Sequence, residues 1–177
     1  VLSQPLVKTD LVNLYIGFSQ SNTQVTAQVP WGMISPGPNF LKRDQKEINK
    51  NTIYGYGTVH LSGVGCGQVQ KGVTLVPFTG NIDYSVERNS STFSKETAVP
   101  GYYSHVLDKS GIFCEMSASE RSGIFRFKFP EGRGNVMVDI SQRMANNKTH
   151  WSSIQKINEF EVEGYMTETA FCANESG

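Results

Sequence analysis

Residues 123–130 read GIFRFKFP. Successive side chains of an extended strand point to opposite faces, so Phe125, Phe127 and Phe129 share one side while Ile124, Arg126 and Lys128 share the other. Arg126, on the side without phenylalanines, is either solvated or held in an ion pair. The cluster Pro130-Glu131-Gly132-Arg133-Gly134 then turns the chain. NVMVDI follows, with Val136, Val138 and Ile140 on one face. Upstream, VTLVP at 73–77 is a short apolar run, and Tyr102 to Leu107 and Ile112 to Ala118 are joined by the hairpin turn DKSG at 108–111. A last run, Ile154 to Tyr165, reads as one strand carrying Phe160 and Val162 opposite Glu159, Glu161 and Glu163. Short strands at roughly regular spacing, with turns between them, predict an antiparallel sandwich or barrel. Helical signals are weak: 85–99 holds at most a short turn, and the charged stretch 42–51 reads as a surface loop or one helical turn.

The chain has 177 residues, the size of one domain with a real core. Lys and Arg number 16 and Asp and Glu number 16, so no basic excess points to nucleic acid. Charged residues are 18% and glycines number 17, a balance that suits an all-β or carbohydrate-handling protein. No apolar run is long enough to span a membrane. The chain opens at Val1 without an initiator Met, so either a leader has been removed or the ends were trimmed. It stops at FCANESG after a strand-like piece with no closing element, which suggests part of a larger protein. Cys66, Cys114 and Cys172 match no zinc or redox spacing. Three cysteines allow at most one internal disulfide, and buried free thiols are the expectation. Asn89, Asn147 and Asn174 head glycosylation sequons.

The segment from Tyr54 to Gly67, YGYGTVHLSGVGCG, packs glycines around one His and one Cys. As a phosphate loop it lacks the closing Gly-Lys-Ser/Thr, and it leads into a strand where a dinucleotide fold needs a helix. As a metal site, His60 and Cys66 lack the further ligands that zinc requires. As a thiol nucleophile, Cys66 matches no known signature. What remains is a glycine loop, permissive of close approach. Either it is a tight packing loop with a satisfied His60, or it is a rim on which Tyr54, Tyr56, His60 and Ser62 meet a sugar through aromatic faces and directed hydrogen bonds. Trp31, between Pro30 and Gly32, poses the same choice between a buried turn and a ligand contact.

Several stretches in this order resemble a known family: DLVNLYIG (10–17), VPWGMISPGP (29–38), YGYGTVHLSGVGCG (54–67), VTLVPFTG (73–80), FSKETAVPGYYSHVLDKSGIFCEMSASERSGIFRFKFP (93–130) and NVMVDI (135–140). As a set they resemble the N-terminal domain of glycoside hydrolase family 92, the calcium-dependent exo-acting α-mannosidases. The likeness runs from about Asp10 to Cys172.

The resemblance implies an all-β, antiparallel β-supersandwich of the galactose-mutarotase-like kind. Residues 1–177 would be an N-terminal domain, incomplete, followed in the whole protein by an (α/α)6 barrel absent from this chain. It implies inverting hydrolysis of α-linked mannose in glycans at the domain junction, with the acid and base carboxylates and the Ca2+ ligands in the barrel. No catalytic and no metal-binding residue is therefore expected in this chain, and the chain alone is expected to be inactive. Its contribution is scaffold, domain interface and part of the sugar pocket, with His60, Ser62, Gly63, Gly65, Cys66 and Trp31 as candidate substrate-binding residues. The partners implied are mannose-containing glycans and the C-terminal domain, and the expected location is secreted or bacterial periplasmic. A non-catalytic carbohydrate-binding or structural β-sandwich is the alternative.

The sequence departs from the family pattern in three places. Gln68, Val69 and Gln70 stand where the family has an aspartate, and NFLKRDQKEINKN lacks a Trp that contacts the leaving sugar in α-1,2-specific members. Both bear on linkage. The usual Asn-Pro-Phe-Ile-Gly opening is Asn13-Leu14-Tyr15-Ile16-Gly17, a structural difference.

Overall fold

The computed structural model describes residues 8–18, 24–42, 51–61, 69–81, 83–141 and 149–168. Among these, ten strands form: β1 Gly37–Lys42, β2 Thr52–Leu61, β3 Val69–Thr79, β4 Phe93–Val99, β5 Tyr102–Leu107, β6 Phe113–Ala118, β7 Gly123–Lys128, β8 Gly134–Asp139, β9 Thr149–Lys156 and β10 Val162–Glu168. A single helical turn, α1 Val86–Asn89, precedes β4; the Ser85 hydroxyl caps it by accepting from the Arg88 amide at 3.2 Å.

All strand pairs are antiparallel. The first sheet has the order β1-β2-β3-β8, the second β4-β5-β6-β7, and β9 pairs with β10 alone. β8 belongs to the first sheet although it directly follows β7, so the chain crosses between sheets through the turn at 129–133. The two sheets face each other through aromatic rings. Tyr56 of β2 lies 5.3 Å from Phe127 of β7 and 5.6 Å from the His105 ring of β5, centroid to centroid. At one end Phe18 meets Phe40 edge-on and Phe40 meets Phe93 at a tilt. Each large apolar side chain withdrawn here contributes about 1.5–3 kcal/mol.

The alternation in GIFRFKFP holds: Phe125, Phe127 and Phe129 pack on the core, while Arg126 pairs with Glu115 on the other face. DKSG is the β5–β6 turn, closed by the Gly111 amide donating to Leu107 O at 2.7 Å. The last run is not one strand. Asn158 breaks it: its side-chain oxygen accepts from the Phe160 amide at 2.8 Å, and the Ile157 amide donates to Glu161 O at 3.0 Å. This turn chemistry splits the run into β9 and β10 and leaves Phe160 at the tip, 95% exposed. A cleft of about 260 Å³ lies between the hairpin and the first sheet, lined by Val73, Leu75, Val138 and Ile140 on one side and Ile154 and Val162 on the other.

Two further strands differ from the sequence expectation. β1 runs through Pro38, which an edge strand accommodates because its missing N–H can face outward. The glycine segment is a strand as far as Leu61, not a loop. A Cβ on Gly55 would come within 2.7 Å of Thr74 Cγ2, and one on Gly57 within 2.7 Å of Asn39 Oδ1. The glycines make room for side chains from β1 and β3. Neither has a positive φ.

Candidate functional site

The first sheet has a second face, and it is polar and buried. Asn39 of β1, His60 of β2 and Thr74 of β3 meet there, across from the space left by Gly57. His60 is 4% exposed. Its Nδ1 lies 2.8 Å from the Ser35 carbonyl. Nε2 lies 2.7 Å from the Asn39 side-chain oxygen, so whichever nitrogen carries the proton of the neutral ring has an acceptor to donate it to. The Asn39 NH2 donates to the Thr74 hydroxyl at 3.0 Å. Ser35 and His60 are joined twice more. The His60 amide donates to Ser35 Oγ at 2.6 Å, and that hydroxyl donates to His60 O at 3.1 Å. Burial pushes the imidazole down to about 4, against the opposing pull of the Ser35 and Pro38 carbonyls, so the ring is neutral near pH 7. Both nitrogens are occupied by protein groups.

Tyr54 joins this face by a bulge. Gly55 opposes Asn39 and Ile53 opposes Phe40, so Tyr54 has no opposite residue. Burial, with the Asp139 carboxylate nearby, raises its hydroxyl to about 12, countered by a bond from Asn39.

Ser35 belongs to the segment that displays Trp31. Val29 to Gly32 form a turn closed by the Gly32 amide donating to Val29 O at 3.1 Å. Pro30 sits at its second position and Trp31, with φ +62°, at its third. That is the type II pattern, whose third position ordinarily takes Gly or Asn. A bulky residue there stores about 1–2 kcal/mol of strain. Backbone bonds hold the segment from three sides: Ser35 N to Thr58 O of β2 at 3.1 Å, Met33 N to Glu120 O in the β6–β7 turn at 2.7 Å, and Gly101 N of the β4–β5 turn to Gln28 O at 3.2 Å. The Trp31 side chain is 98% exposed. A fixed backbone therefore presents a bare indole.

Trp31 and His60 are thus brought together through Ser35, one outside and one inside. Ser62, Gly63, Gly65 and Cys66 lie outside the described residues, as does Cys172. Cys114 is a buried free thiol, raised by burial to about 12. Sequence reasoning missed Ser35 and Asn39, because nothing in SPGPN signals contact with a histidine more than twenty residues away. Among the described residues, no group of three or more His, Cys, Asp or Glu is placed to hold a metal ion. Nor is any helix among them long and apolar enough to cross a membrane.

The profile of the glycosyl hydrolase family 92 N-terminal domain matches residues 11–177. Among solved structures, the chain is similar to the family GH92 alpha-mannosidase BT3965 from Bacteroides thetaiotaomicron, at 30% identity and a TM-score of 0.79 over 90% of this chain. The same enzyme in complex with mannoimidazole matches at the same identity and TM-score. The chain spans 24% and 23% of the length of these two structures. No curated protein matches the chain.

Proposed function

The chain belongs to glycoside hydrolase family 92 as its N-terminal domain, and from that premise we propose that it forms one wall of the sugar pocket of an inverting exo-α-mannosidase acting on mannose-containing glycans. The observation that carries this is Trp31, an indole 98% exposed on a backbone pinned from three sides. Sugars present apolar C–H faces that dock on aromatic rings, with orientation fixed by a few polar groups. A ring that needs no rearrangement before binding loses little entropy when a sugar settles on it. The chain's part in the reaction is to bind and orient the glycan and to exclude water from one side. Ser62, Gly63, Gly65 and Cys66, which follow directly on β2, belong to the same proposed wall.

An inverting hydrolysis needs an acid to protonate the leaving oxygen and a base to activate a water on the opposite face of the ring. We assign both carboxylates, and the Ca2+, to the C-terminal (α/α)6 domain of the whole protein, and we place that protein in the periplasm or outside the cell. Kinetics on an aryl α-mannoside test the reading. The full-length protein turns the substrate over, the 177-residue chain alone does not, and Trp31→Ala in the full-length protein lowers kcat/KM about tenfold or more, mainly through KM. Unchanged kinetics in Trp31→Ala would sink the role of Trp31. Tight mannoside binding by the full-length protein without turnover would favour a non-catalytic carbohydrate-binding module.

A further inference from the structure

The bonds around His60 go beyond what is needed to satisfy a buried imidazole. A neutral ring has one proton to donate, and two acceptors face it, Ser35 O and the Asn39 side-chain oxygen. Ser35 adds two bonds through its hydroxyl, to the His60 amide and from it to the His60 carbonyl. One residue of the 27–36 segment is thus joined to one residue of β2 by three bonds, using ring, amide, carbonyl and hydroxyl. The Ser35 amide adds a fourth link to the same strand, at Thr58 O. Among the described residues, the other ties of the segment are single backbone bonds: at the β4–β5 turn, at the β6–β7 turn, and, within the segment itself, Ala27 N to Pro36 O at 2.8 Å and Gly32 N to Val29 O at 3.1 Å. The joint at His60 is the densest of these.

Resting on the proposed function, we infer that His60 is a positioning residue. It clamps the 27–36 segment to the end of β2 and so fixes the backbone that carries Trp31 on the first sheet. His60 touches no sugar. It holds in place the backbone of Trp31, which does.

Two measurements on the full-length protein separate this inference from the reading it rests on. The first needs no activity. Hydrogen exchange at the Ser35, Met33 and Ala27 amides is compared in the parent, in His60→Leu, which removes both ring bonds, and in His60→Asn, which keeps a donor near the Nδ1 position. We expect exchange at Ser35 to quicken at least about tenfold in His60→Leu, with partial recovery in His60→Asn. Unchanged protection in both variants would overturn the clamp whether or not the protein is a mannosidase. If His60→Leu does not fold, His60→Asn and Ser35→Gly provide the same comparison. The second measurement is a double-mutant cycle in kcat/KM between His60→Asn and Trp31→Ala. A clamp acting through Trp31 predicts that His60→Asn, harmful in the parent, adds less than about twofold once Trp31 is gone. Fully additive losses would overturn the inference. A parent with no mannoside turnover, but with exchange that responds to His60, would sink the proposed function and leave the clamp standing.

Discussion

His60 and His105 are both buried and both neutral near pH 7, yet they are held in opposite ways. His60 sits on the polar face of the first sheet with both ring nitrogens against acceptors, Ser35 O and Asn39 Oδ1, and its partners come from the stretch leading into and along β1, with Thr74 of β3 behind Asn39. His105 is 0% exposed between the sheets, stacked on Tyr56 and flanked by Phe93 and Tyr103. Its Nε2 lies 2.7 Å from the Tyr56 hydroxyl, while Nδ1 has no partner. The bonds around it form one consistent line: Nε2–H donates to Tyr56, Tyr56 to the Cys114 sulfur, and Cys114 to Ile112 O at 3.7 Å. The bare atom is then a lone pair, not an orphaned N–H. His105 fills space as an aromatic ring with one polar tie, whereas His60 joins segments that would otherwise be free to part.

That difference can be broken or sharpened by experiment. His60→Leu leaves the Ser35 carbonyl and the Asn39 amide without their ring partners in a buried place, and should lower unfolding stability by about 4 kcal/mol in denaturant titration. Acid comes next. Burial lowers the two imidazoles to about 4 and about 3 in the folded protein, from an ordinary value of 6.5. The folded state therefore takes up protons later than the unfolded chain. Stability is full above pH 6.5 and is lost as pH falls through that value toward 4 and then 3. Each histidine should remove about 2 kcal/mol between about pH 7 and pH 5, measured as a falling denaturation midpoint. The smallest effect belongs to His105→Phe, which keeps the stacked ring and loses one neutral bond. It should lower stability by about 1 kcal/mol while abolishing roughly half of the acid sensitivity. If His105→Phe proved as harmful as His60→Leu, the two sites would not differ as described.

Much of the fold was legible because its signals are local. The period of two in GIFRFKFP placed Phe125 and Phe127 on the core side without reference to any neighbour. DKSG marked its own turn. β1 and β2 were not legible as strands, because Pro38 and the glycines at 55 and 57 read as breakers. What admits them is supplied by other strands: an open edge for the proline, and the side chains of Asn39 and Thr74 filling the space over the glycines. Asn158 did carry a local turn signal, overridden by the apolar alternation on either side of it. For the candidate site, the sequence singled out Trp31 and His60 but could not say which faces water. That depends on Ser35, twenty-five residues before His60, and on the turns at Gly101 and Glu120, still farther along the chain.

The bulge at Tyr54 acts on β2 much as an inserted base acts on a reading frame. A strand is read two residues at a time, and one extra residue changes which of them face the core. Before the insertion Ile53 is read inward; after it, Tyr56 is read inward, although the two are three residues apart. The glycines under Asn39 inherit the shift, and a further irregularity between Gly57 and Val59 stands before the histidine. Deleting Tyr54 would keep the composition of the strand almost intact and garble its message, pairing the upstream residues with the wrong side of the sheet. The single unmatched residue thus sets the phase in which the two faces of the strand, one for the core and one for the clamp, are spelled out.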